Sequence, residues 1–135
     1  DVVTIAGPVS QEELRQIYAE ADLFVLPCRV MDDGDRDGIP NVLAEAMAFG
    51  LPVVSTAISG IPELVADGQN GLLVPERDSA ALAQAMQRLL ASPELRAQLG
   101  QAARKKICTV FDSHKTTLRL KDLFLDAIEC REVPA

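Results

Sequence analysis

A chain of 135 residues is long enough for one compact domain with a single buried core and too short for two. Apolar residues make up 48% of it, aromatics 4%, and Trp is absent, which suits a core of Val, Ile, Leu and Ala between packed layers and excludes a disordered chain. A formal net charge of -7 repels phosphate backbones and anionic lipid, so a general nucleic-acid or membrane-surface role is disfavoured, and any bound phosphate must be held locally.

Val2 to Ala6 is a short β-branched run ending at Gly7-Pro8, and Asp22 to Pro27 is another, closed by proline; both read as buried strands. Between them Ser10 caps an expected helix from Gln11 to Ala21, with Glu12 and Glu13 in its first turn and Leu14, Ile17, Tyr18 and Ala21 at helical spacing. The pattern then repeats. Pro40 to Phe49 is helical and stopped by Gly50, Pro52 to Thr56 is a strand, Pro62 to Ala66 begins a short helix, and Gly71 to Val74 is one more strand. Continuous apolar strands, rather than alternating ones, indicate a sheet covered on both faces. The expected fold is therefore α/β with a parallel, doubly wound, Rossmann-like sheet. Helices complete the chain: Ser79 to Leu90, Pro93 to about Thr109 and Ser113 to about Cys130.

The cysteines, Cys28, Cys108 and Cys130, are odd in number and widely spaced, with no C-x-x-C pair and one His, His114, in the whole chain. They read as thiols in a reducing compartment rather than as disulfides or zinc ligands, and no metal site is expected. No apolar run approaches the ~20 residues of a membrane span, and no signal-peptide pattern opens the sequence. The expected location is the cytoplasm.

Chemistry concentrates in one segment. In the helix from Asn41 to Phe49 every side chain is apolar except Asn41 and Glu45, which lie one turn apart on one face. An unpaired buried carboxylate costs several kcal/mol, so Glu45 either faces a cleft, meets a donor, or reaches the surface beside a cation. Upstream, Asp37 lies in a loop, Gly38 removes side-chain bulk, and Pro40 stands at a helix start where its missing N–H costs nothing. The helix dipole and unpaired first-turn amides make this a phosphate seat. From Pro40 to Glu45 the helix rises ~7.5 Å, so Asp37 and Glu45 bracket a ligand about as long as a diphosphate with a sugar at each end.

These residues resemble a family. An acid followed eight positions later by Glu (Asp37, Glu45), then Ala48-Phe49-Gly50-Leu51-Pro52-Val53-Val54, then Asp67-Gly68 through Val74, is similar to the donor-binding segment of the retaining "group 1" glycosyltransferases of the two-domain GT-B type. The likeness runs from about Val2 to Leu90. It implies the C-terminal half of a GT-B fold, moving a sugar from a nucleoside diphosphate donor to an acceptor hydroxyl with retention, without cofactor or metal. Glu45 would then accept hydrogen bonds from the ribose hydroxyls, and Asp37, where the family usually has Glu, would hold hydroxyls of the transferred sugar. The backbone of Gly38, Ile39, Pro40, Asn41 and Val42 would face the sugar and diphosphate, and the loop of Gly7, Val9 and Ser10 the nucleobase. The resemblance also implies that residues 1–135 form one domain lacking its first strands. The basic residues that clamp the diphosphate, and the N-terminal acceptor domain, would lie outside the chain, and the isolated piece would not turn over. Arg15, Arg29 and Arg36 then read as surface charge.

Three other readings compete. Asp32, Asp33, Asp35 and Asp37 before Gly38 imitate the start of a calcium loop, but the twelfth position from Asp33 is Ala44, where an EF-hand needs a bidentate Glu. Two carboxylates also suit a glycoside hydrolase, though nothing else supports that chemistry. A non-catalytic module that binds a nucleotide sugar, or only docks to a partner, would share most of the pattern.

Overall fold

In a computed structural model of the chain, residues 2–36, 38–111 and 113–129 are described, with their side chains except at 113, 114 and 126–129. Asp37, Cys130 and the side chain of His114, all named from the sequence, lie outside the described residues.

The chain runs through α1 (Gln11–Glu20), β1 (Phe24–Leu26), α2 (Asn41–Ala48), β2 (Val53–Thr56), α3 (Ile61–Leu64), β3 (Leu72–Val74), α4 (Ser79–Ala91), α5 (Pro93–Val110) and α6 (Ser113–Glu129). The three strands form one parallel sheet in the order β1-β2-β3, with Val25 opposite Val54 and Val54 opposite Leu72. Alternation along each strand splits the core in two. On one face Phe24, Leu26, Val53 and Leu73 meet Tyr18 of α1, Leu43, Ala46 and Met47 of α2, and Ile61 and Leu64 of α3. On the other, Val25, Val54, Leu72 and Val74 meet Leu82 and Leu89 of α4 and Leu95 and Leu99 of α5. Helices therefore cover both faces, as expected from strands without polar alternation. Among the described residues the buried polar side chains are paired: Ser55 and Thr56 donate their hydroxyls to the carbonyls of Leu26 and Cys28 at 2.7 and 2.6 Å.

One expected strand does not form. Residues 2–6 carry no strand, and Val2, Val3 and Ile5 stand exposed. A β-branched run becomes a strand only where a neighbour takes its N–H and C=O groups, and among the described residues none pairs with it. Gly7, at φ 73, and Pro8 then turn the chain into α1. The segment Asp67 to Gly71 proves to be a turn with a structural task, leading into β3. Asn70, 5% exposed, accepts the Ala66 N–H at 2.7 Å and donates to the Leu64 carbonyl at 3.1 Å, while the Asp67 carboxylate accepts the Leu73 N–H at 2.9 Å. These bonds launch β3 and leave the motif's polar groups occupied. Among the described residues no helix is long and apolar enough to cross a membrane.

Gly100 of α5 marks the closest approach of two elements, because a Cβ there would run into the backbone carbonyl of Gly50. Backbone cannot move aside as a side chain can. Gly100→Ala should therefore cost about 1–3 kcal/mol in urea unfolding. Gly38→Ala, whose Cβ would meet nothing within 4 Å, should leave the midpoint unchanged.

Candidate functional site

The loop that follows β1 returns as α2, and Gly38 in it accepts a hydrogen bond at 3.2 Å from the amide of Gly60, just beyond β2. Both positions lie past the carboxyl ends of parallel strands, which is where open α/β sheets bind ligands. Contact between the two loops is tight on one side only. A Cβ at Gly60 would come within 2.8 Å of the Ile39 side chain, whereas the space over Gly38 is open.

The helix start itself is unusual in this chain. Ser10, Asp78 and Ser92 each cap a helix with a side-chain oxygen, and first-turn acids stand at the starts of α1 and α5. At α2 the N-cap is Pro40, no side chain among the described residues caps it, and no acid lies in its first turn. Asn41 and Val42 are exposed there. First-turn amides without a side-chain acceptor, under the positive end of the helix dipole, suit an anion.

One turn further on, Glu45 is half-buried, and it is neither a core acid nor a solvated one. Leu43, Ala46 and Met47 face the core with no exposure, which turns Glu45 away from the sheet and toward α1. There the hydroxyl of Tyr18 lies 3.4 Å from its Oε2 and equally far from the Val42 carbonyl. A cavity of about 190 Å³ opens beside the pair, lined by Gln11, Leu14, Arg15, Tyr18, Glu45 and Phe49. The Tyr18 ring packs on Phe49 with centroids 5.4 Å apart, and Phe49 is 43% exposed. Burial, followed by the charge and the hydrogen bond of Glu45, raises the Tyr18 pKa above the ordinary value of 10.0.

The structure thus brings Gly38, Ile39, Pro40, Asn41, Val42 and Glu45 onto one loop and helix start. Of the tentative nucleobase loop, Ser10 directly precedes Gln11, which lines the cavity, while Gly7 and Val9 are exposed ahead of it. The sequence reading missed Tyr18 and Phe49; Arg15, read as surface charge, is exposed and lies 3.6 Å from Glu12, with its side chain also at the cavity wall. The available signal was chemical: Tyr18 is the single Tyr of the chain, and a phenol on a buried helix face needs a polar partner. A second cavity, of about 260 Å³, opens at the carboxyl ends of the strands between Cys28, Arg29, Thr56, Val74 and Arg77. Two acids of the calcium-loop imitation have other partners. Asp32 pairs with Arg77 at 3.1 Å and Asp33 accepts the Asp35 amide at 3.0 Å. Among the described residues no three His, Cys, Asp or Glu side chains are grouped to hold a metal ion.

Comparison with known proteins matches residues 1–92 to the family described as "Glycosyl transferases group 1". The chain belongs to the group 1 glycosyl transferases. The match contains every site residue named from the sequence. The chain is 43% identical over 123 residues to the amylovoran biosynthesis glycosyltransferase AmsK of Erwinia amylovora, covering 91% of this chain and 30% of that one. It superposes on sucrose-phosphate synthase from Thermosynechococcus elongatus with a TM-score of 0.79 and 31% identity, over 94% of this chain and 30% of the other. It also shares its fold with Anabaena Alr3699/HepE, solved in complex with UDP-glucose, at a TM-score of 0.74 and 24% identity, over 84% of this chain and 30% of that one. The three-stranded parallel sheet flanked by helices is that of C-terminal GT-B domains. This group 1 chain thus spans about three tenths of the length of the Erwinia relative.

Because Tyr18 is the single Tyr, its phenolate absorbance reports this site alone. Folding raises its pKa, so the native state keeps the proton where the unfolded chain has released it. This contribution is present in full below pH 10.0 and is lost as pH climbs through the higher folded value. Alkaline titration should show ionisation above 10.0, with native stability falling in that range. Glu45→Gln should shift the titration toward 10.0 without reaching it, since burial is the leading cause. In Tyr18→Phe that part of the alkaline stability loss should vanish.

Proposed function

We propose that this chain is the donor half of a retaining glycosyltransferase, binding a nucleoside diphosphate sugar along α2 with the nucleoside over Glu45 and the diphosphate at the helix start. The observation that carries this reading is that one helix offers an uncapped N-terminus and, one turn later, a half-buried Glu beside an empty-walled cavity. Anion and polyol sites are set at diphosphate-to-ribose spacing on a single rigid element. Tyr18 supplies one long hydrogen bond to Glu45, which leaves the carboxylate able to accept two ribose hydroxyls. Phe49 offers an exposed aromatic surface at the mouth for the base. Asp37, next to the open Gly38, faces the transferred sugar in this reading.

In the reaction the bond from the anomeric carbon to the diphosphate breaks, and the acceptor oxygen takes the sugar on the same face. The acceptor proton leaves with the departing phosphate. The chain's own contribution is electrostatic: first-turn amides of α2 meet the charge growing on the leaving group, and no metal is required for that. We place the cationic clamp for the diphosphate upstream of these residues and the acceptor site in a further, N-terminal domain, as the relative's length supports. Residues 1–135 alone should bind donor and not turn it over. Three spaced cysteines suit a cytoplasmic setting.

Calorimetry of the chain with UDP, GDP, UDP-glucose and GDP-mannose tests the reading. Glu45→Gln should weaken nucleotide binding roughly tenfold, about 1.4 kcal/mol, while leaving the thermal midpoint in place. A collapsed midpoint with unchanged affinity would make Glu45 structural. In the transferase that carries the chain, Asp37→Asn should lower kcat by roughly tens- to hundreds-fold, on the order of 2 to 4 kcal/mol, with nucleoside diphosphate affinity nearly intact. Asp37→Glu restores the family's usual acid and should keep activity or shift sugar preference. Activity abolished by a chelator, or an Asp37→Asn enzyme as fast as its parent, refutes the assignment.

A further inference from the structure

The loop between β1 and α2 is tied down at two points, one on each side of residue 37. Downstream, Gly38 is held through its carbonyl by the Gly60 amide. Upstream, both backbone polar groups of Val30 are taken by neighbours in the turn between β3 and α4. The Val30 N–H donates to the Glu76 carboxylate at 3.0 Å, and its carbonyl accepts from an Arg77 guanidinium nitrogen at 3.3 Å. The same nitrogen reaches Asp32 at 3.1 Å. Between these anchors the loop closes on itself, with the Met31 amide on the Asp35 carbonyl at 2.8 Å and the Gly34 amide on the Met31 carbonyl at 2.9 Å.

Arg77 makes this hold from a left-handed backbone, φ 61, a conformation that favours glycine and costs any side chain with a Cβ. Its ion pair with Asp32 does not account for that strain as a gain in stability. The two side chains are 59% and 97% exposed, and exposed pairs contribute little. What the strained turn does achieve is to aim two adjacent side chains at one residue, the carboxylate at the Val30 N–H and the guanidinium at its carbonyl.

We infer that Glu76 and Arg77 are positioning residues of the donor site, fixing the loop that leads from Val30 to the start of α2. The inference rests on the donor reading above. It assigns these two side chains to turnover rather than to nucleotide affinity, because neither the start of α2 nor the Glu45 cavity includes them.

The test uses Glu76→Ala, Glu76→Gln and Arg77→Gly, both in the chain and in the transferase that carries it. Amide exchange at Val30 reads the hold. Turnover of UDP-glucose or GDP-mannose, whichever the parent binds, reads its consequence through kcat and donor KM separately. Glu76→Ala and Arg77→Gly should speed Val30 exchange and lower kcat, each roughly tenfold, with donor KM within about twofold. Arg77→Gly, freed of the left-handed strain, should melt no lower than the parent. Glu76→Gln keeps an acceptor oxygen for the Val30 amide and should rescue both readouts. Unchanged exchange, faster exchange with unchanged kcat, or a Gln variant as slow as the Ala variant each overturns the inference. A parent protein that binds none of the four nucleotides fails the donor reading itself and takes the inference with it. If the inference alone is wrong, parent binding and turnover stay intact.

Discussion

The rotation of α2 about its own axis is the constraint on which the site depends. Leu43, Ala46 and Met47 have no exposure, and they occupy the i, i+3, i+4 stripe that a helix must bury against a sheet. With that stripe fixed, every other position on α2 has its direction assigned. Glu45 emerges toward α1, Asn41 and Val42 stand at the open end, and Phe49 caps the far side of the cavity. Core packing and ligand geometry are thus the same fact seen from two sides of one helix. A change that rolled α2 would cost apolar burial and move the acid together, so the site inherits the rigidity of the core.

How Glu45 is tolerated follows from the partner it meets. A carboxylate closed into the core with one weak donor would be costly, and one fully in water would bind nothing specifically. At Glu45 a phenol approaches from one side and a cavity remains on the other. The 3.4 Å separation is long for an O–H···O bond, so the carboxylate's acceptor capacity is only lightly engaged by the protein. The effect on Tyr18 is reciprocal. Its buried ring anchors the first core cluster, and its proton is held more firmly because Glu45 is charged.

Much of the fold was legible because the local signals agree with one another. Ser10 with Glu13, Asp78, and Ser92 before Pro93 mark helix starts that the structure realises as side-chain caps, and Gly50 and Pro52 bound the turn into β2. Gly38 and Pro40 likewise mark a helix boundary, and the structure starts α2 at Asn41 with no side-chain cap among the described residues. What the sequence does not carry is which helix faces which. Tyr18 and Glu45 are 27 residues apart, and their pairing depends on α1 and α2 both covering the same side of the sheet. Residues 2–6 fail in the opposite sense. Val2, Val3 and Ile5 have strand propensity, but propensity describes a fit to a pleated neighbour, and pairing is settled by tertiary structure. The Asp67-Gly68 motif, which carries part of the family resemblance, has its Asp and Asn70 occupied in launching β3.

On the donor reading an acidic chain has to hold a diphosphate, and the placement of its acids bears on how it would do so. The net charge of -7 is distributed over a surface of 9599 Å², and at physiological ionic strength a charge more than about 8 Å from the ligand is largely screened. Only groups near the start of α2 matter to a bound anion. The acids closest in sequence to Pro40 are Asp37, Asp35 and Glu45, and of the two acids next upstream Asp32 pairs with the Arg77 guanidinium and Asp33 accepts a backbone amide. The repulsion of these two toward an anion at Pro40 is correspondingly reduced, while the α2 dipole and its open amides act at contact distance. The same bonds that shape the loop after β1 therefore also quiet its charge.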